Sequence, residues 1–423
     1  MCIRDSFYLL MLFWLSNPIA GQVSTRNYIR TRTMLNETGS SYMDLIVYYD
    51  GLGRPFQTVF KGITPSNQNL VSLQEFDEMG RESKSWLPVV STSDYVAAGD
   101  FISNAPGSYN NDSRPYYQSV YEFSPLNRMV QQYGPGVAWH SGHSVTTEYL
   151  VNTTISPLNC INYSVNSSGS LVNNGNYASS RLYVTKTIDE DDNIGYVFID
   201  KLERVVLTRQ MKDNVPHDTY YVYDDYGNLS FVLQPMYQDN KNLSLYAFQY
   251  KYDERNRCVE KKQPGAETVK YVYDMTDKLV FSQDGNQRAL GQWTFYLYDK
   301  FLRLTVAGVC NNANTASASS STVTCTYVTS NGGLGNSGYF SSFVLTTPII
   351  HQVNYYDNYD FRSLTGFTNI SYFPAALVDA KGRQTGSIIT VLGSGTKLYS
   401  ANYYDIKGRV VKSVSSNHIG GYE

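Results

Sequence analysis

An aspartate followed four positions later by an arginine recurs along this 423-residue chain: Asp50 and Arg54, Asp77 and Arg81, Asp253 and Arg257, Asp299 and Arg303, Asp405 and Arg409. A carboxylate beside a guanidinium can hold a catalytic acid in its ionised form or orient a substrate, but it is equally the make-up of a structural ion pair. Two other groups have the composition of metal sites. His140 and His143 with Glu148 supply two imidazoles and a carboxylate, and the run from Asp189 to Asn193 begins like a calcium loop. Each meets a spacing objection. Two histidines three apart on a strand or loop do not point the same way, and no third ligand stands at a recognised distance. The acidic run lacks the glycine and distal glutamate of an EF-hand and lies between two strand patterns, RLYVTKTI and IGYVFID, which makes it a solvated hairpin turn. No G-x-S-x-G elbow is present, and the glycines at 332–335 and 393–395 do not sit between a strand and a helix. A catalytic pair is needed once, whereas a turn is needed in every hairpin. The sequence therefore reads as non-enzymatic, with no cofactor and no metal.

The elements around these pairs explain the recurrence. Before Asp253, the residues Tyr246, Phe248, Tyr250 and Tyr252 occupy every second position, and Tyr271 and Tyr273 do so before Asp274. A period of two places them on one face of a β-strand. After the aspartate come two variable residues, a Gly, Asn or other polar residue, a basic residue and a second apolar strand. An aspartate accepts hydrogen bonds from turn N–H groups, and Gly or Asn three positions later tolerates the left-handed conformation that ends such a turn in a bulge. Clear copies carry Asp50, Gly53 and Arg54; Asp77, Gly80 and Arg81; Asp224 and Gly227; Asp253, Asn256 and Arg257; Asp274; Asp299 and Arg303; and Asp405, Gly408 and Arg409. Weaker copies start at Ser124, Asp200, Asp357 and Asp379. Self-similarity at a period of roughly 20–30 residues marks a stacked repeat.

The ordered stretches NYIRTRTML, YYDGLGRPFQTV, FDEMGRESKSWLPV, YEFSPLNRMVQQYGPGVAWH and HDTYYVYDDYGNLSFVLQP resemble the Rhs, or YD-repeat, family from about residue 27 to the end. More narrowly, they are similar to secreted Bacteroidetes members with an uncharacterised N-terminal domain. The resemblance implies an all-β fold of successive antiparallel hairpins forming a long twisted, curved sheet, part of a hollow shell. It implies as partner a C-terminal effector domain of the same full-length chain.

Residues 1–6 look like a translated sequencing adaptor, and 7–21 read as a truncated signal peptide: a nine-residue apolar run followed by small residues, too short to cross a bilayer. An exported protein is expected, secreted or on the outer cell surface, touching membrane only during export. Charged residues make up 17% and the formal charge is −3, which provides no basic field for nucleic acid. Surface glycans are the alternative partner, with the 38 tyrosines as stacking groups. Expected divisions are 1–22, the adaptor and signal; 23–176, an irregular N-terminal β-domain; 177–310, dense repeats; 311–341, a flexible Asn/Ser/Gly-rich loop; and 342–423, further repeats. Both ends read as truncated. Cys310 and Cys325 flank part of that loop and are candidates for a disulfide closing it. Eleven copies give about twenty-two strands, a strip about 105 Å long and short of the ~145 Å needed to wrap a cargo of about 130 residues. An open sheet with its final edge near residues 399–415 is expected, with the repeat tyrosines stacked in cross-strand ladders.

The turn chemistry makes a direct prediction. Asn256→Val should lower the melting temperature by forcing a β-branched residue into the left-handed region, whereas Glu254→Ala, at a variable turn position, should leave it unchanged.

Overall fold

The computed structural model describes residues 26–36, 38–311, 313–328, 332–369, 371–374 and 380–422. The adaptor and signal readings, and Asp379, fall outside the described residues. The fold is all-β: among the described residues 24 strands belong to one hydrogen-bonded antiparallel sheet, and two small hairpins stand apart from it. The chain forms two compact units, one of the described residues up to Tyr149 with Thr185–Ile194, the other of Leu150–Val184 with the residues from Gly195 onward.

In the first unit the strand Tyr42–Tyr49 alternates in burial, with Asp44, Ile46 and Tyr48 on its buried face. These pack with Val59, Val71 and Leu73 from neighbouring strands. The helix Ala98–Ser108 lies on this core through Phe101 and Ala105, four apart and so on one helical face. This helix was not legible as one, because its sequence, AGDFISNAPGS, mixes two glycines and a proline with only two strongly apolar residues, adjacent and so without helical spacing. The buried Asp44 is held by Arg32 and Arg30; the Arg32 hydrogen bond holds its carboxyl well below the usual range.

In the second unit the hairpins follow one another in chain order. Ala247–Tyr252 pairs with Cys258–Lys262, and Val269–Tyr273 with Leu279–Gln283. Each ladder shifts register at the tyrosine before the aspartate, between Lys251 and Tyr252 in one and Val272 and Tyr273 in the other. That shift is the bulge created by the left-handed residue. The core is aromatic: Phe281, Phe295, Tyr355, Phe361, Phe367 and Phe373 are buried together. Gly308 sits where two strands approach closely, since a Cβ there would lie 2.1 Å from the Ile349 carbonyl oxygen.

Two expectations about this unit need correction. Residues 311–341 are not simply a flexible loop. They contain the helix Thr315–Ser319 and the hairpin Cys325–Tyr327 with Tyr339–Ser341, and they bury Ala318, Val323, Cys325 and Tyr339. Few apolar residues suffice because they land on the core side. The weak copy at Asp357 and the residues that follow Asp379 form one hairpin, not two. Thr346–Asp357 pairs with Ala380–Thr390, with Tyr356 opposite Gln384 and Asp357 opposite Ala380. The turn between them is replaced by an insertion whose Phe361, Leu364, Phe367 and Phe373 fill the core. The strand Val410–Ser415 pairs with Lys397–Tyr404, and its Val410 and Val411 are exposed.

Candidate functional site

The feature with the most chemistry is the repeated turn. In the Asp253 copy, the Asn256 N–H donates to the Asp253 carbonyl at 3.0 Å, and the Asp253 N–H to the Arg257 carbonyl at 3.0 Å. The Asp253 carboxylate accepts the N–H groups of Arg255 and Arg257 on one oxygen, at 2.9 and 3.0 Å, and Arg257 Nε on the other at 2.7 Å. Asn256 is left-handed, at φ 58°. Asp50, Asp77, Asp200 and Asp299 repeat this pattern with Arg54, Arg81, Arg204 and Arg303. Asp405 takes the N–H and Nε of Arg409 in the same way, with Gly408 at φ 76°. At Asp224, Asn228 replaces the arginine and donates through its N–H and Nδ2, with Gly227 at φ 84°.

The calcium-like run is the same turn. Asp189 accepts the N–H groups of Asp191 and Asn193 and the Asn193 amide, with Asp192 at φ 62°. A further copy escaped the sequence reading because asparagine stands in for the aspartate: Asn166 Oδ1 accepts the N–H groups of Ser168 and Ser170. In the Ser124 copy the serine hydroxyl takes only the Leu126 N–H, and Glu122 supplies the missing carboxylate to Arg128 at 2.8 and 2.7 Å.

The arginine does more than close its own turn. Arg257 lies 5.0 Å from the ring centroid of Tyr273, the tyrosine that opens the next hairpin. The Tyr273 hydroxyl donates back to the carbonyl of Cys258, the residue just after that arginine, at 3.1 Å. The same reciprocal pair joins Arg204 to Tyr223, Arg303 to Tyr356, Arg81 to Tyr121 and Arg383 to Tyr404. Tyr298 bonds the Leu279 carbonyl with the Lys278 ammonium 6.0 Å from its ring centroid, and Tyr252, whose preceding copy has Asn228, makes the hydroxyl bond to Leu229 alone. Successive motif tyrosines are two strands, about 9.6 Å, apart. Among the described residues no ring–ring contact joins two of them. The expected tyrosine ladder is replaced by alternating guanidinium and phenol groups.

The left-handed position also faces the preceding hairpin. A Cβ on Gly80 would lie 2.8 Å from a terminal nitrogen of Arg54. Where the position is not glycine it often supplies an acceptor: Asn127 to Arg81, Asn256 to Asn228, and Asp277 to Arg257 at 2.8 Å. The Asp274 turn keeps the Lys278 N–H on one carboxylate oxygen at 3.0 Å but departs from the rule because the Lys278 amine does not bond the other. The free oxygen accepts the Val323 N–H at 3.1 Å, and the Met275 N–H donates to the Ser321 carbonyl. This anchors the 311–341 insertion.

Other candidates are dispersed. His140 stacks on Tyr133 at 4.6 Å and faces Gln118, His143 faces the Glu190 carbonyl, and Glu148 pairs with Lys186 at 2.6 Å. Among the described residues no group of three or more His, Cys, Asp or Glu is placed to hold a metal. Cys310 and Cys325 are free thiols, so the loop-closing disulfide is absent. Each is buried as a small apolar group, Cys310 opposite Trp293 and Cys325 in the separate hairpin, and burial pushes both thiols up to about 11. Arg209 and Asp218 form a buried pair, 2.7 Å at Nε, whose guanidinium also bonds the Asn159 carbonyl. This ties the segment before the hairpin Ile161–Val165 with Leu171–Asn176 to the sheet.

The turn carboxylates set the response to acid. At Asp50 and Asp405, the N–H groups of Arg54 and Arg409 hold the carboxyls below the usual range. At Asp77 and Asp253 partial burial opposes this and the hydrogen bonds from Arg81 and Arg257 outweigh it. The Arg128 hydrogen bond brings Glu122 to about 2. A carboxyl depressed on folding contributes stability above its unfolded pKa, about 4, and loses it as pH falls through the folded value. The melting temperature should be flat from about pH 7 to 5 and fall steeply below about 4. Glu122→Gln should flatten that fall between about 4 and 2, which thermal melts across pH would measure.

Residues 22–151 match a family described as a domain of unknown function (DUF6443). No curated protein sequence matches the chain. Among solved structures the chain is similar to TcdB2-TccC3-TEV, at 12% identity and a TM-score of 0.44, covering 90% of this chain and 19% of that one. It is similar also to TcdB2-TccC3 without its hypervariable C-terminal region, at 13% identity and a TM-score of 0.43, and to TcdB2-TccC3-Cdc42, at 12% and 0.44. The chain spans 19% of the length of each of these proteins.

Proposed function

We propose that this chain is a non-enzymatic wall segment of an exported Rhs-type protein, built to protect or deliver a C-terminal effector of the same full-length chain. The observation that carries the reading is the reciprocal lock between hairpins. Its aspartates, arginines and tyrosines are occupied in holding each hairpin to the next. A hairpin bound by such a rule can be followed by another without redesign, which suits a protein whose job is extended surface. The motif succession resembling secreted YD-repeat proteins supports export. A carbohydrate-binding role rests on a different feature, a cleft beside Tyr327.

Reading the gene onward from codon 423 tests the proposal. Further Tyr-Asp hairpins followed by a chemically unrelated segment are expected, and that segment alone should arrest growth when expressed inside a bacterial host. Co-expression as one chain with the preceding hairpins should relieve the arrest. A surface-anchoring segment directly after the hairpins, or a downstream segment without effect on growth, would contradict it.

A further inference from the structure

The folded insertion makes a second feature that the wall reading does not use. Its hairpin Cys325–Tyr327 with Tyr339–Ser341, the turn from Asp299 to Arg303 and the end of the strand Thr346–Asp357 enclose a cleft of about 680 Å³. That size suits a small ligand. Its charged lining residues are Asp299, Asp357 and Asp360 against Lys300 and Arg303, two positive and three negative, a balance of −1. Arg303 is fully engaged, with Nε on Asp299 at 2.8 Å and its terminal nitrogens on Asp357 at 2.8 and 2.7 Å. No cation is therefore left in a bidentate position for an anionic ligand.

What stays available is a mixture of donors, acceptors and rings. Neither Lys300 nor Asp360 is in an ion pair with another described residue. Asn358 uses its Oδ1 to accept the Asp360 N–H at 3.1 Å, which leaves its amide nitrogen as a donor. The Phe301 ring, which lines the cleft, is 62% exposed, with the Lys300 ammonium 5.1 Å and the Arg303 guanidinium 5.0 Å from its centroid. Tyr327 packs edge-on against Tyr339 and Tyr355, at 5.2 and 5.9 Å, and its buried hydroxyl has no hydrogen-bond partner among the described residues. A buried hydroxyl left without a partner is unfavourable, and a native one calls for an explanation.

We propose that this cleft binds a neutral saccharide unit. Sugar hydroxyls both donate and accept, so one ring can donate to Asp360 and accept from Lys300 and Asn358, while its C–H face packs on Phe301. Tyr327 lines the cleft, and a small shift of its ring on binding would bring its unpartnered hydroxyl to a sugar hydroxyl. The proposal is independent of whether the hairpins form a wall around cargo.

Saturation-transfer NMR on the full chain tests it, using methyl glycosides and disaccharides of glucose, galactose, mannose and N-acetylglucosamine, with sialyllactose as the anionic comparison. At least one neutral saccharide should bind at millimolar concentration. Tyr327→Phe and Asp360→Asn should each weaken it by about tenfold. Tyr327→Phe should keep or raise the melting temperature, because it removes an unpaired hydroxyl; Asp360→Asn changes an exposed side chain and reports on binding without a folding penalty. Binding by none of the neutral saccharides, preference for sialyllactose, or unchanged affinity in both variants would overturn the assignment. Such a failure leaves the wall reading untouched, since that reading predicts nothing about sugars.

Discussion

A single carboxylate accepting two backbone N–H groups across a four-residue turn is the constraint on which the sheet depends. It can do so only when the residue three positions on is left-handed, which is why Gly, Asn or Asp stands there in most copies. Once the turn is closed, the following arginine is pinned by its own aspartate and projects toward the next hairpin. The next tyrosine then has a cation over its ring and a carbonyl within reach of its hydroxyl. Exposed ion pairs of this kind are individually weak. Their effect comes from repetition, and from fixing direction: each lock specifies where the neighbouring strand must lie.

The departures from the rule mark where the chain does something other than repeat. At Ser124 the carboxylate moves two positions back, to Glu122, and the arginine remains paired. At Asp274, lysine replaces arginine, and the freed oxygen holds the backbone of an inserted segment. At Asp357 the turn itself is opened. Its carboxylate takes both terminal nitrogens of Arg303 from the preceding hairpin and the Gly382 N–H from beyond the insertion. At Asp274 the lost side-chain contact is replaced by one to an insertion and at Asp357 by one across an insertion, so added structure enters where the local lock is weakest.

Much of this was legible in the sequence. The period-two tyrosines before Asp253 and Asp274, and the Gly or Asn three places after the aspartate, specify hairpin, turn and bulge from local chemistry alone. The inter-hairpin lock was not legible, because nothing in the spacing says that Arg257 leans toward Tyr273 or that a phenol reaches the Cys258 carbonyl. Those are consequences of strand order. Asn166 and Glu122 were hidden for a simpler reason: each performs the aspartate's work with a different residue. The 311–341 insertion was misread because low apolar content suggests disorder, whereas burial of Ala318, Val323, Cys325 and Tyr339 depends on where a few residues land. The split hairpin around Asp357 was counted as two copies, since an insertion inside a turn destroys the period that identifies it.

The central claim is that neighbouring hairpins are coupled through the basic residue of one and the tyrosine of the next. A double-mutant cycle on Arg257→Ala and Tyr273→Leu, read by chemical denaturation, measures that coupling most directly. It should give an interaction of about 0.5–1 kcal/mol. The matched cycle of Arg257→Ala with Tyr298→Leu, one hairpin further on, should be additive to within about 0.3 kcal/mol. Additivity in the first cycle, equal to that in the second, would contradict the account.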